Sequence, residues 1–129
     1  MTRIGPLVSR ALLQVGPQES IAEAARQMTA RKVGSAMVMT DEGPGIITER
    51  DVLRAVAAGA DLDKVRVEEY MTHNAITAFE DWDLGAAARR MADGGFRHLI
   101  VLGHGGQVEG ILSIRDLLKG LLRESNPIA

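Results

Sequence analysis

Two seven-residue stretches concentrate the side chains able to do chemistry. They are Gly45-Ile46-Ile47-Thr48-Glu49-Arg50-Asp51 and Gly110-Ile111-Leu112-Ser113-Ile114-Arg115-Asp116, 65 residues apart. Each places a hydroxyl three residues ahead of a carboxylate, with an arginine between them. After a short apolar run, that spacing marks a helix start. The hydroxyl takes the N-cap and accepts from the backbone N–H of the Asp, and the Asp sits where the helix dipole favours negative charge. Capping of this kind contributes about 1 kcal/mol. A helix N-terminus also presents unpaired N–H groups that attract anions. Thr48 and Ser113 can donate to such a ligand, Arg50 and Arg115 can add charge-assisted bonds, and Asp51 and Asp116 can accept from its hydroxyls. The pattern therefore supports two readings, a helix cap and an anion-ligand site.

The elements that must hold these residues occur twice. Ile21-Ala22-Glu23-Ala24-Ala25-Arg26-Gln27-Met28 matches Leu84-Gly85-Ala86-Ala87-Ala88-Arg89-Arg90-Met91 at an offset of 63, with four of eight positions identical. From Gly45 and Gly110 onward the offset is 65, and five of nine positions are identical. A two-residue change confined to the loop before Gly110 is what a structural duplication tolerates. Ile21, Ala24, Ala25 and Met28 form an amphipathic stripe, repeated by Leu84, Ala87, Ala88 and Met91. Ser20 with Glu23 has the capping-box spacing, Asp83 is the expected N-cap of the second helix, and Trp82 before it suits a hydrophobic staple on Ala87. Strands are predicted at 12–15, 36–39 and 45–47, and again at 75–78, 99–102 and 110–112. Closing helices follow, the first ended at Gly59, the second breaking up near Ser125 with Pro127 beyond. Each half reads strand, helix, strand, strand, helix. Residues 1–60 and 61–129 are the two repeats, with 59–66 as connector. Halves of this size bury little alone, so a shared core is expected.

Composition narrows the function. Hydrophobic residues make up 46% and charged residues 25%, an ordinary globular balance. Aromatics are only 3% and the net charge is −2 without a basic block, which argues against nucleic acid as a partner. With no cysteine, a disulfide framework and thiolate metal sites are excluded. His73, His98 and His104 lack metal-ligand spacing. No run of 18 apolar residues predicts a membrane span, and residues 1–6 do not read as a signal peptide. A cytoplasmic address is expected. Gly103, Gly105 and Gly106 read as a hairpin turn, since no GxGxxG or Walker pattern runs through them. No nucleophile elbow or paired carboxylates stand out, so the expectation is that the chain is not an enzyme and has no catalytic cofactor.

The duplicated heptapeptide, with its element order and repeat length, resembles the signature of cystathionine β-synthase (CBS) domains over residues 4–124. The resemblance implies an α/β fold in which two β-α-β-β-α CBS repeats pack as one pseudo-twofold module, often called a Bateman module. It implies a regulatory sensor that binds an adenine nucleotide (AMP, ADP, ATP or a related adenosine compound) in clefts between the repeats. In that reading Asp51 and Asp116 take the ribose hydroxyls. Each cleft is completed by the other repeat: Thr48, Arg50 and Asp51 by Thr72, Ile76, Thr77, Arg97 and His98, and Ser113, Arg115 and Asp116 by Ser9, Leu13, Gln14, Gly34 and Ser35. It further implies a homodimer and a separate regulated protein. The alternative is a ligand-free structural or interaction module acting through dimerisation or partner docking. The closing helices carry broad apolar stripes, Val52, Leu53, Val56 and Ala57 in one and Leu117, Leu118, Leu121 and Leu122 in the other, of which part is expected to stay exposed for a second copy.

Overall fold

Apolar runs and capping signals become elements in the order read from the sequence. The computed structural model describes residues 2–125. Strand β1 spans Gln14–Val15, helix α1 Ile21–Arg31, β2 Ser35–Thr40, β3 Gly43–Thr48 and α2 Glu49–Ala57. The second set is β4 Thr77–Phe79, α3 Leu84–Gly94, β5 His98–Leu102, β6 Val108–Ser113 and α4 Ile114–Ser125. Short 3-10 turns lie at Gly5–Leu7 and Val67–Glu69. Pro127 lies outside the described residues. None of the described helices is long and apolar enough to cross a membrane.

Each set makes a three-stranded sheet. β1 pairs parallel with β2, and β2 antiparallel with β3; β4, β5 and β6 repeat the arrangement. A parallel pair needs a crossover, and α1 and α3 supply it. The two-residue shift in repeat offset has a visible cause. Val38 pairs with Gly45 across a tight hairpin, whereas Val101 pairs with Gly110 across a longer one with a register shift at Val101/Leu102.

The compact units are cut differently from the sequence repeats. Among the described residues, one comprises residues 12–75 and the other residues 2–11 with 76–125. Each has its own apolar cluster. In the first, Val15, Ile21, Ala24, Met28, Val38, Ile47 and Ala55 pack with Val67 and Met71. In the second, Ala78, Leu84, Ala87, Met91, Leu99, Val101, Leu112 and Leu117 pack with Ile4 and Val8 from the start of the chain. Residues 61–71 thus fill the same role for the first sheet that residues 4–8 fill for the second.

The helix starts show how these segments are held. Ser20 Oγ accepts from the Glu23 N–H at 3.1 Å, as its cap spacing requires. The next free donors of α1, Ile21 N and Ala22 N, go to the carbonyls of Val65 and Leu62. The connector is therefore a packed cap, because orphan N–H groups at a helix start need acceptors. Asp83 sits at the N-cap of α3, but its side chain makes no cap bond. Leu84 N instead donates to the Thr2 carbonyl at 2.8 Å. Trp82 packs against the cluster that contains Ala87, as a staple should.

Candidate functional site

The two heptapeptides form the same local structure. Thr48 is the N-cap of α2, and its capping box is complete. Asp51 N donates to Thr48 Oγ1 at 3.4 Å, while Thr48 N and Thr48 Oγ1 donate to Asp51 Oδ2 at 2.9 and 3.1 Å. At α4, Asp116 N donates to Ser113 Oγ at 3.2 Å, and Ser113 N and Oγ donate to Asp116 Oδ2 at 3.1 and 2.8 Å. Both carboxylates are thus fixed by one oxygen. Asp51 is buried and Asp116 half-buried.

The leading glycine of each motif has a steric task. A chain segment crosses the outer edge of β3 or β6 at this point. In the first unit, Ile46 and Thr72 exchange backbone bonds of 3.0 and 2.8 Å; in the second, Ile111 and Ser9 exchange bonds of 3.1 and 2.9 Å. A Cβ on Gly45 would stand 2.6 Å from the Thr72 carbonyl oxygen, and one on Gly110 would collide with the Ser9 carbonyl oxygen. Only glycine lets the backbones approach this closely. The crossing brings Thr72 and Ser9 to equivalent places beside the motifs. Arg10, next to Ser9, pins its segment with ion pairs of 3.3 Å to Glu80 and 3.1 Å to Glu109.

The expected site positions divide between the two units. With Thr48, Arg50, Asp51 and Thr72, residues 12–75 hold Leu13, Gln14, Gly34 and Ser35. Ser35 pairs with Thr48 across the sheet, and the Gly34 carbonyl accepts from Glu49 N at 3.0 Å. The Leu13 carbonyl accepts from Met37 N, and Gln14 pairs with Met37 on the parallel edge. The other unit holds Ser9, Ile76, Thr77, Arg97 and His98 with Ser113, Arg115 and Asp116. There His98 pairs with Ser113, the Arg97 carbonyl accepts from Ile114 N at 2.8 Å, the Ile76 carbonyl accepts from Ile100 N, and Thr77 pairs with Ile100. Leu13 is buried, whereas Arg50, Arg97 and Arg115 are exposed and make no side-chain ion pair among the described residues. These guanidinium groups stand available to an anion.

Arg54 is a participant that the motif spacing did not reveal. Its Nη1 donates to Asp51 Oδ1 at 3.0 Å, and its guanidinium lies over the Tyr70 ring, 5.8 Å from the centroid. The i, i+3 spacing from Asp51 was a usable signal. The aromatic partner comes from the packed connector, which periodicity does not place. Among the described residues no group of three or more His, Asp or Glu side chains is arranged to hold a metal ion.

Comparison with known proteins agrees with this architecture. The CBS domain model matches twice, at residues 4–58 and 67–123. An uncharacterized 17.7 kDa protein of Acidianus ambivalens is 38% identical over 123 residues, covering 94% of this chain and 74% of that protein. The chain spans 61% and 35% of the length of two further relatives, from Methanopyrus kandleri and Methanocaldococcus jannaschii. A CBS domain protein from Pyrobaculum aerophilum, solved in complex with AMP, superposes with a TM-score of 0.82 at 30% identity, over 95% of this chain and 97% of that one. A hexameric CBS-CP12 protein from bloom-forming cyanobacteria gives a TM-score of 0.85 at 25% identity, over 91% of this chain and 66% of that one. Twice-matched motifs, twice-built sheets and capped helix starts meet in one assignment: the chain belongs to the CBS domain family and carries a tandem pair of such domains.

Proposed function

We propose that this chain is a regulatory module that binds an adenine nucleotide at its two motif sites, and that it acts in the cytoplasm on a separate protein without catalysing a reaction itself. The observation that carries the reading is the duplicated helix start. Each combines a fixed carboxylate, a hydroxyl and an exposed arginine that makes no ion pair among the described residues. A carboxylate has about four lone-pair positions, so the bonds from Thr48 or Ser113 leave acceptor capacity for ribose hydroxyls. The exposed arginines and the helix N-termini suit the phosphate. The AMP complex of the Pyrobaculum aerophilum relative supports adenosine as the ligand class.

A thermal-shift screen of AMP, ADP, ATP, adenosine and S-adenosylmethionine tests this. A ligand at a hundred times its Kd adds about 2.7 kcal/mol to the native state and raises the Tm with concentration. The shift should shrink in Asp51→Ala and Asp116→Ala, each losing one site. No shift with any compound would defeat the reading.

The second reading, a ligand-free interaction module, has its own support. Both carboxylates already serve their caps, and α2 and α4 expose Leu53, Val56, Leu118 and Leu122. Dimerisation through these helices is part of either reading. The two part at the nucleotide screen.

A further inference from the structure

The two motif acids are not equivalent. Asp116 uses Oδ2 for its cap, and no cation is bonded to it among the described residues. Asp51 uses Oδ2 in the same way, but its Oδ1 is also occupied, by Arg54. Arg54 is held from its other side by Tyr70. Neither part of this device recurs in the other unit. The position three residues after Asp116 is Lys119, an exposed side chain without a described ion pair. The position two before Ser9, equivalent to Tyr70 before Thr72, is Leu7, which packs into the apolar cluster.

We propose that Arg54, steadied by Tyr70, is a latch on Asp51 that makes the two sites unequal, so that a nucleoside fills the Ser113–Asp116 site first and the Thr48–Asp51 site only when the latch is displaced. This rests on the nucleotide reading of the motifs. The physics is competition for one carboxylate. Paired ribose hydroxyls need both oxygens of the acid, or both faces of it, and a guanidinium on Oδ1 holds part of that capacity. The Asp51 side chain is only 9% exposed, so its partner is chosen from few groups, whereas Arg54 is 61% exposed and can swing into water. That asymmetry favours a modest, reversible latch over a permanent block. An exposed guanidinium on a buried acid is screened by solvent, so the penalty on nucleoside affinity is about twofold to fivefold.

The experiment uses adenosine, which carries no phosphate, so that any salt effect reports on the protein's own charges. Calorimetric titration of Asp116→Ala isolates the Thr48–Asp51 site; titration of Asp51→Ala isolates the other. Arg54→Ala placed in the Asp116→Ala background should tighten adenosine binding about twofold to fivefold. In the Asp51→Ala background it should change nothing. Raising salt from about 0.05 M to about 0.5 M should tighten the isolated Thr48–Asp51 site in the presence of Arg54 and leave the Arg54→Ala form unchanged, because only the latch is screened. Tyr70→Leu, which copies Leu7 of the other unit, should act in the same direction as Arg54→Ala and covers the case in which that variant folds poorly. Unchanged affinity in both variants, or weaker binding on loss of Arg54, overturns the latch while leaving the nucleotide reading intact. Absence of adenosine, AMP and ATP binding in the wild type defeats the nucleotide reading and the latch with it.

Discussion

At the residue scale, Asp51 and Asp116 each have a structural and a proposed binding role, and the two separate by measurement. Asp116→Ala should cost about 1 kcal/mol of stability, the usual worth of a cap. Asp51→Ala should cost somewhat more, because it also removes the Arg54–Asp51 ion pair. Denaturant titration of the two variants gives the comparison; equal losses would mean the Arg54 contact adds nothing to stability. Arg97 permits a second separation. It is exposed beside Ser113, with its carbonyl committed to Ile114 N and its side chain free of ion pairs among the described residues. Arg97→Ala should weaken ATP and ADP more than adenosine, by an amount typical of a charged hydrogen bond, roughly 1.5–3 kcal/mol. Equal losses for all three ligands would show that the side chain does not meet phosphate. The motif residues were legible because cap chemistry is local: a hydroxyl and an acid three apart identify each other. Arg54 and Tyr70 were not legible as a pair. Their contact depends on how residues 59–71 fold back, and nothing periodic in that stretch states it.

At the element scale, the duplication exposes a difference in how α1 and α3 end. The residue after α3 is Gly95, with φ +70°, and the equivalent residue after α1 is Lys32, with φ +56°. A left-handed backbone costs an L side chain about 1–2 kcal/mol, and glycine avoids most of that cost. Lys32 is exposed. Lys32→Gly should therefore stabilise the protein by about 0.5–1 kcal/mol after the entropy that glycine adds to the unfolded chain. The expected rise in Tm is about 2–4 °C, read by calorimetry. A fall in Tm would mean that the lysine makes a contribution that outweighs its strain. Helices and strands were legible because a stripe of Ile21, Ala24, Ala25 and Met28 or a run such as Leu99-Ile100-Val101-Leu102 carries its period within itself. Strand ends shifted: the predicted starts at Leu12 and Ala75 moved to Gln14 and Thr77, since pairing partners decide where a ladder begins. The caps of α1 and α3 were only half legible. Ser20 acts as its spacing states, but the carbonyls of Leu62, Val65 and Thr2 arrive from distant chain, and Asp83 is relieved of the bond its position suggested.

At the scale of the whole molecule, the closing helices leave apolar surface that a solitary chain in water does not favour. Each broad stripe divides in two. In α4, Leu117 is buried and Leu121 packs against the cluster, whereas Leu118 is 52% and Leu122 68% exposed. In α2, Val52 packs inward and Ala55 is buried, whereas Leu53 is 67% and Val56 53% exposed. The inner half of each stripe explains the cores, and the outer half remains unexplained by the single chain. Large side chains at i and i+4 (Leu118 with Leu122), or i and i+3 (Leu53 with Val56), form a ridge of the kind helix pairs interdigitate. A second copy is the simplest occupant, because two-fold closure satisfies the same surface on both partners. Light scattering at micromolar concentration should return twice the chain mass of 13.9 kDa. Leu122→Glu should return the protein to 13.9 kDa, because a charge introduced at a dry interface must be buried unpaired or the interface must open. Leu121→Glu would damage the core instead and is the wrong probe. Fully burying a leucine contributes about 1.5–3 kcal/mol, so Leu118→Ala alone should raise the dissociation constant by roughly tenfold or more. Leu122→Glu should keep its Tm shift with AMP if each chain binds nucleotide independently of assembly. A wild-type mass of one chain, or a dimer indifferent to both substitutions, would remove the helices from the interface.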